Sequence, residues 1–566
     1  MKRRNFIKKI GFAAGAPIAF QGVPLQILQA QNRFQQLATQ GSNDNVLIIL
    51  QMHGGNDGLN TVIPIENYNQ YYSRRANIAI PYKSGNRTLI PLDSTVPLAD
   101  QVGVHPDMTD FKDMYDRGKA AIFQGVSYQN NNGSHFRGRD IWLMGGDYDD
   151  YFSSGWIGRY LKQEYAPLQY PEEFPSEGMP DPLALEMGND VSLLFHQEGN
   201  IPTSISLGGS PTGLANLVEN LEGFTDDGLD PRGTPPAFLD GSPYSKEMDW
   251  LLGLEDKSET YIKRLAEIYE SADETDSSVN YPESYPFNPN LRNPLSNQLK
   301  LVARLMGGGI KTKVFLVKIG GFDTHAEQTE SYDSTYGGHA ALLYHISSAM
   351  RAFDQDLRVR GLSEKVLTVS MSEFGRRIAS NGSYGTDHGT GGPVMMFGAG
   401  VKPGIYGTNP DLSENNVGMQ FDYRQIYANI LSEWMGVEES VISNDIFFRD
   451  FISGANPDGG NYEPMDLIKE VVTSSDNYLK SMFQIESIYP NPATNYVQAI
   501  VMVNDTQKVK FELIDSSGKV VKSTIRKITP GKHTITFQLH DMMPGFYFIK
   551  AKSPKLNDTK RLFIRK

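Results

Sequence analysis

The sequence predicts a large mixed α/β domain on a mainly parallel sheet with helices on both faces, followed by a small all-β sandwich. Three observations carry this. Five separate apolar runs lie between Val46 and Gly398, helical periodicities fall between them, and beyond Phe483 the pattern changes to alternation in period two.

The apolar runs are Val46–Met52, Ala120–Val126, Lys313–Ile319, Lys365–Met371 and Pro393–Gly398. Near-continuous apolar runs of this length suit strands buried on both faces. Among the helices, Leu295, Leu299, Val302 and Leu305 or Met306 share one face, with Pro294 suited to the first turn and Gly307 to Gly309 to the stop. Ala340–Leu357 has similar spacing, and a shorter helix is expected over His135–Met144. From Tyr496 onward YVQAIVMV, KVKFELID, KVVKSTIRK, HTITFQL, FYFIKAK and KRLFIRK alternate between turn signals, which makes six or so short strands. Residues 486–566 hold 14 Lys and Arg against 6 Asp and Glu, a net of +8, while the whole chain carries -13.

With 566 residues and 39% hydrophobic composition the chain can bury a large core. Its negative charge argues against nucleic acid as a partner, since phosphate binding needs a basic footprint. The chain has no cysteine, which excludes disulfides, thiolate metal sites and cysteine nucleophiles.

Polar residues collect beside the predicted strands. Asn56 and Asp57 follow the first run, Ser134 and His135 the second, Asp323 and His325 the third, Glu373 and Arg376 the fourth, while Asp387 and His388 precede the fifth. Ligands of doubly wound sheets bind at the carboxyl ends of the strands, so these segments are expected to converge on one crevice. Carboxylates with neutral imidazoles suit zinc or a similar divalent ion. Asp57, Asp323, His325, Glu373, Asp387 and His388 are the candidate ligands. Ser134, after a glycine and before a helix, is the candidate nucleophile for attack on an anionic ester. Each has a plainer reading: Ser134 as a helix cap, Asp57 as a turn residue, Glu373 as an ion-pair partner of Arg376 or Arg377. His53, His105, His339 and His345 are weaker candidates, the last two being on a helix.

The two ends read as addresses. KRRNFIKK at 2–9, followed by an apolar stretch to about Phe20, resembles a twin-arginine signal with Arg3 and Arg4 as the pair. That resemblance implies the twin-arginine translocase as a partner and cleavage near Ala30. IYPNPATN at 488–495, LIDSSGKVV, and PGFYFIK at 544–550 resemble the type A sorting domain of the type IX secretion system. This implies contact with that machinery and a secreted or surface location. The expected division is a signal over 1–30, the large domain over 31–480 and the sorting domain over 486–566.

Within the large domain, GGNDGLNTVIP, GSHFRGRDIWLMG, GGFDTHAEQ, SEFGRR and TDHGTGGPVMMFG resemble a family of twin-arginine-exported bacterial proteins in the alkaline phosphatase and sulfatase-like superfamily. The resemblance implies an alkaline phosphatase-like fold with Asp57, Asp323, His325 and His388 as ligands and Ser134 at the nucleophile position. SEFGRR departs from the superfamily, which has an Asp-His pair where this chain has Glu373 and Phe374; one imidazole is missing, which puts a second metal in doubt. Sulfatase action through a C/S-x-P-x-R motif is not expected, because SHFRG follows no such pattern. The expected function is metal-dependent hydrolysis of phosphate or related esters. The alternative is a non-catalytic protein that binds a glycan or anionic polymer through a degenerate metal site.

Overall fold

The computed structural model describes residues 19–20, 23–24, 43–199, 201–213, 260–457, 459–469, 483–503, 507–515, 519–529, 531–552 and 557–565. Apart from four residues, the expected signal lies outside them, as does the part up to residue 259 of the acidic stretch that the sequence marks from about Glu222 to Pro289 with TDDGLD and ADETD. The chain divides into two compact units, 1–469 and 470–566. No helix among the described residues is long and apolar enough to cross a membrane.

In the first unit the strands used below are β1 (Val46–His53), β2 (Ala120–Ser127), β3 (Ala184–Met187), β4 (Ser204–Leu207), β5 (Val314–Gly320), β6 (Val366–Met371), β7 (Arg376–Ser380), β8 (Thr386–His388), β9 (Gly392–Phe397), β10 (Gly404–Tyr406) and β11 (Phe421–Asp422). All but β7 and β8 form one sheet in the order β4-β3-β5-β1-β6-β9-β2-β10, with β11 also on β2. All five apolar runs lie in it. The pairings are parallel except those of β9, which runs against both β6 and β2. One reversed strand therefore sits inside an otherwise parallel sheet.

Alternate residues of β1 point into different cores, as period two requires. Leu47 and Ile49 pack with Trp142, Trp156 and Tyr427, from helices α1 (His135–Met144), α2 (Trp156–Glu164) and α5 (Tyr423–Glu433). Ile48 and Leu50 pack with Leu299 and Leu343, from α3 (Pro294–Gly307) and α4 (Gly338–Val359). Burying such side chains contributes about 1.5–3 kcal/mol each before entropy is subtracted. The helix ends follow the sequence: Ser134 caps α1 and Gly145 closes it at φ 71, while Asn293 and Pro294 open α3.

The second unit contains β12 (Phe483–Tyr489), β13 (Tyr496–Val503), β14 (Gln507–Asp515), β15 (Val520–Ile528), β16 (Gly531–Gln538), β17 (Gly545–Lys552) and β18 (Asn557–Ile564). They pair antiparallel as β12-β13-β16 and β15-β14-β17-β18. Val497, Phe511, Ile549 and Leu562 belong to one shared core. The strand missing from the sequence reading is β12. A register shift between Ile485 and Ser487 interrupts the alternation that marks the others.

Candidate functional site

The reversed strand explains why a loop before a strand joins loops that follow strands. β9 begins at the edge where β1, β2, β5 and β6 end, so the β7–β8 hairpin connects β6 to β9 along that edge. His388, the last residue of β8, thus reaches the segments after β2 and β5.

Donor atoms of His135, Asp323 and His388 lie within 4.8 Å of one another. The Oδ1 atom of Asp323 is the centre of the group. It stands 3.4 Å from His135 Nε2, 3.4 Å from His388 Nε2 and 3.3 Å from His325 Nε2. Two ligands each about 2.0–2.1 Å from a tetrahedral ion are ~3.4 Å apart, so these spacings suit a zinc-like cation. The Nε2 atoms of His325 and His388 are closer, at 2.8 Å.

The tautomers are set from behind. His388 Nδ1 lies 2.7 Å from the Gly133 carbonyl, an acceptor only, so Nδ1 donates and the Nε2 lone pair faces Asp323. Burial lowers the pKa of His388 despite that bond, which favours the neutral ligand form. His135 Nδ1 is 2.8 Å from Glu373 Oε1 and, facing a carboxylate, also donates. Its Nε2 is buried without a hydrogen-bond partner. A buried lone pair without a donor is costly, and a cation would satisfy it. Asp323 is held by Arg376, whose Nη2 donates to Oδ1 at 2.7 Å. Burial raises the carboxyl pKa, but the Arg376 hydrogen bond and charge, then His135, bring it down to about 2.

Glu373 stands behind the donors. It is 2% exposed, and its Oε1 accepts from both His135 Nδ1 and the Gly54 amide at 2.8 Å. That occupies the oxygen in orienting an imidazole. Gly54, at φ 123, permits the close approach of the β1 and β5 loops, since a Cβ there would come within 2.3 Å of the Asp323 amide. Phe374 forms an apolar wall, with ring centroids 4.8 Å from His135 and 4.6 Å from His388.

The other expected residues are placed differently. Asp57 is fully buried and apart from the three donors; Arg75 Nη1 bonds both its oxygens at 2.9 and 2.8 Å, and Gln328 donates to one at 2.6 Å. Arg75 also donates to the carbonyls of Ile378 and Arg377, tying the loop after β1 to β7. Asp387 is half exposed, with Oδ1 3.6 Å from His325 Nδ1, at the solvent side of the cluster. Ser134 caps α1, its Oγ accepting from the Arg137 amide at a long 3.4 Å. His105, His339 and His345 are buried in the interior, away from the donors named above.

Sequence reasoning left out two residues that matter here. His135 was noted beside Ser134 without a role, yet it supplies the third imidazole where SEFGRR has none. Its signal was position, the first helical residue after a strand-end glycine. Arg376 was weighed as a partner for Glu373 and pairs instead with Asp323.

Two family models match the chain. One, described as a protein of unknown function (DUF1501), matches residues 259–444. The other, the secretion system C-terminal sorting domain, matches residues 487–565. The tail is a type IX sorting domain, and the protein is exported. It engages the type IX secretion system and is secreted or attached at the cell surface. A search of curated proteins found no match. Among solved structures, a beta-glucosidase from Kluyveromyces marxianus is similar at 12% identity and a TM-score of 0.12, over 15% of this chain and 14% of that one. The chain thus spans a small fraction of that protein. A Bacteroides thetaiotaomicron protein from a locus for metabolism of multiple glycosaminoglycans is similar at 9% identity and a TM-score of 0.31, over 85% and 89%. An alkaline phosphatase from the Antarctic bacterium TAB5 is similar at 10% identity and a TM-score of 0.25, over 64% and 94%.

Proposed function

We propose that the large unit is a metal-dependent hydrolase of phosphate or related esters, on an alkaline phosphatase-like fold, exported through the twin-arginine translocase and then the type IX route. The observation that carries it is the arrangement around Asp323, where His135, His325 and His388 each direct Nε2 to within 3.4 Å of Oδ1. His135, Asp323 and His388 are the proposed ligands of a single divalent ion, zinc or similar, with His325 beside them. Glu373 supports these donors, Asp57 holds the loop after β1 through Arg75, and Asp387 backs His325 at the rim.

A bound ion supplies Lewis-acid polarisation of the ester and offsets charge developing on its oxygens. The residues of this chain prepare the rest. Arg376 keeps Asp323 ionised and in place. Glu373 and the Gly133 carbonyl hold two imidazoles in the ligand tautomer. Ser134 is the proposed nucleophile: its weakly engaged hydroxyl sits at the amino end of α1, between the residue that anchors His388 and the ligand His135.

The test is metal analysis of the purified chain, with turnover of phosphomonoester, phosphodiester and sulfate ester substrates. Stoichiometric zinc or a related ion is expected, with one ester class hydrolysed and both properties lost in His388→Ala. No bound metal together with no turnover in any metal-supplemented buffer sinks the enzyme reading. Full hydrolysis by Ser134→Ala removes the nucleophile and leaves the rest.

A further inference from the structure

The amino end of α1 carries more than a candidate ligand. Phe136, next to His135, is 76% exposed, and Tyr151, in the loop after α1, is 81% exposed. Single exposed apolar residues are ordinary. Tyr151 differs because its surroundings are built, and Phe136 stands beside the ligand His135 at the same helix end. Arg137 stacks its guanidinium 4.0 Å from the Tyr151 ring centroid and donates to the carbonyls of Tyr148 and Asp150, which fixes the loop against the helix. One face of Tyr151 is therefore covered by a cation while the residue as a whole stays open to solvent. Tyr384 lies on the β7–β8 hairpin that delivers His388. It is 37% exposed and sits at φ 56, a conformation that disfavours bulky side chains. Gly385, which follows it, packs against the backbone of His325, since a Cβ there would be 2.4 Å away. Exposed rings thus occur on two of the segments that supply the donor cluster.

Flat rings left open at a polar site, one of them backed by a cation, bind ligands that are flat and apolar on a face and hydroxylated at the edge: sugar rings or nucleobases. Charge decides between them. The loop that holds Tyr151 also contains Asp147, Asp149 and Asp150, and the chain as a whole is acidic at -13. Nucleic acids and polysulfated chains would meet like charge beside the platform, without the basic track that such polymers require.

We propose that Phe136 and Tyr151, with Tyr384 on the hairpin, form a saccharide platform beside the cluster. Its occupant is an uncharged glycan chain that carries its ester group only sparsely. The proposal rests on the hydrolase reading for the identity of the reacting group and stands on the aromatic surface for the identity of the carrier. The rings hold the sugar by stacking, and the metal cluster meets the single anionic substituent.

Affinity electrophoresis of the full chain in gels containing xylan, mannan, α-glucan, heparin or single-stranded DNA tests this. Retardation is expected in at least one neutral polysaccharide. It should weaken by about tenfold or more in Phe136→Ala/Tyr151→Ala, whose exposed positions leave the core untouched. It should persist in His388→Ala. Retardation by heparin or DNA alone, no retardation in any neutral gel, or equal retardation of the double variant overturns the proposal. Retained retardation in a chain that binds no metal and hydrolyses no ester overturns the hydrolase reading and leaves the platform.

Discussion

Glu373 bonds His135 Nδ1 through the same carboxylate oxygen that accepts the Gly54 amide, each at 2.8 Å. A buried carboxylate shared this way links the end of β1 to the start of α1 and sets the direction of an imidazole. Removing such a partner typically costs about 10–100-fold in metal affinity. Glu373→Ala is therefore expected to weaken zinc binding by that order, and Glu373→Gln by less, because its amide oxygen still accepts from Nδ1. Chelator competition reads both. Unchanged affinity in Glu373→Ala would remove its positioning role.

Asp57 and Arg75 form a pair with both side chains essentially inaccessible to water. Deleting one partner strands the other charge, a loss of about 3–5 kcal/mol. Arg75→Ala should destabilise the large unit by that amount in urea unfolding. Any folded fraction at low temperature should still bind metal, because Asp57 lies outside the donor group. A destabilisation below about 1 kcal/mol would show that the pair is not structural.

His339 is buried against Asn56, and burial lowers its pKa from 6.5 to about 4. A histidine with a depressed folded pKa contributes stability that is complete above its unfolded value and lost as pH falls. Stability of the large unit should therefore decline from about pH 6.5 towards pH 4, by on the order of 3 kcal/mol from this residue. His339→Gln should flatten that limb of the unfolding profile. An identical slope in the variant would assign the decline to other groups.

Gly55 has φ 78, and a Cβ there would lie 2.4 Å from the Phe374 ring. Gly55→Ala should cost about 1–3 kcal/mol in strain and displace the wall beside His135 and His388. Weaker metal binding together with lower thermal stability is expected. A variant with native stability and affinity would show that the wall yields freely.

Much of the fold was legible because burial on both faces of a sheet writes continuous apolar runs, and all five runs are strands. The direction of β9 was not legible, since periodicity carries no information on whether a strand runs up or down. The site shows the same division. Asp323, His325 and His388 stood out as polar residues in places without an apolar purpose, and the structure gathers them. Asp57 had the same signature and belongs to a buried ion pair, because its partner Arg75 lies eighteen residues away in a segment with no motif. His135 was hidden by its neighbour: serine before a helix draws attention to the serine. Glu373 was visible as a carboxylate, but only three dimensions show that it faces a nitrogen.

The reversal of β9 also bears on how the site comes together during folding. Because β6 and β9 are neighbours, the excursion from Met371 to Gly392 leaves and re-enters the sheet at adjacent points. That single stretch carries Glu373, Phe374, Arg376, Asp387 and His388. Closing a short connection between adjacent strands costs little chain entropy. Half of the constellation is thus assembled by local contacts, and only the segments bearing His135 and Asp323 must arrive from a distance. Loss of metal in a destabilised variant should begin with those two arrivals, while the hairpin stays formed.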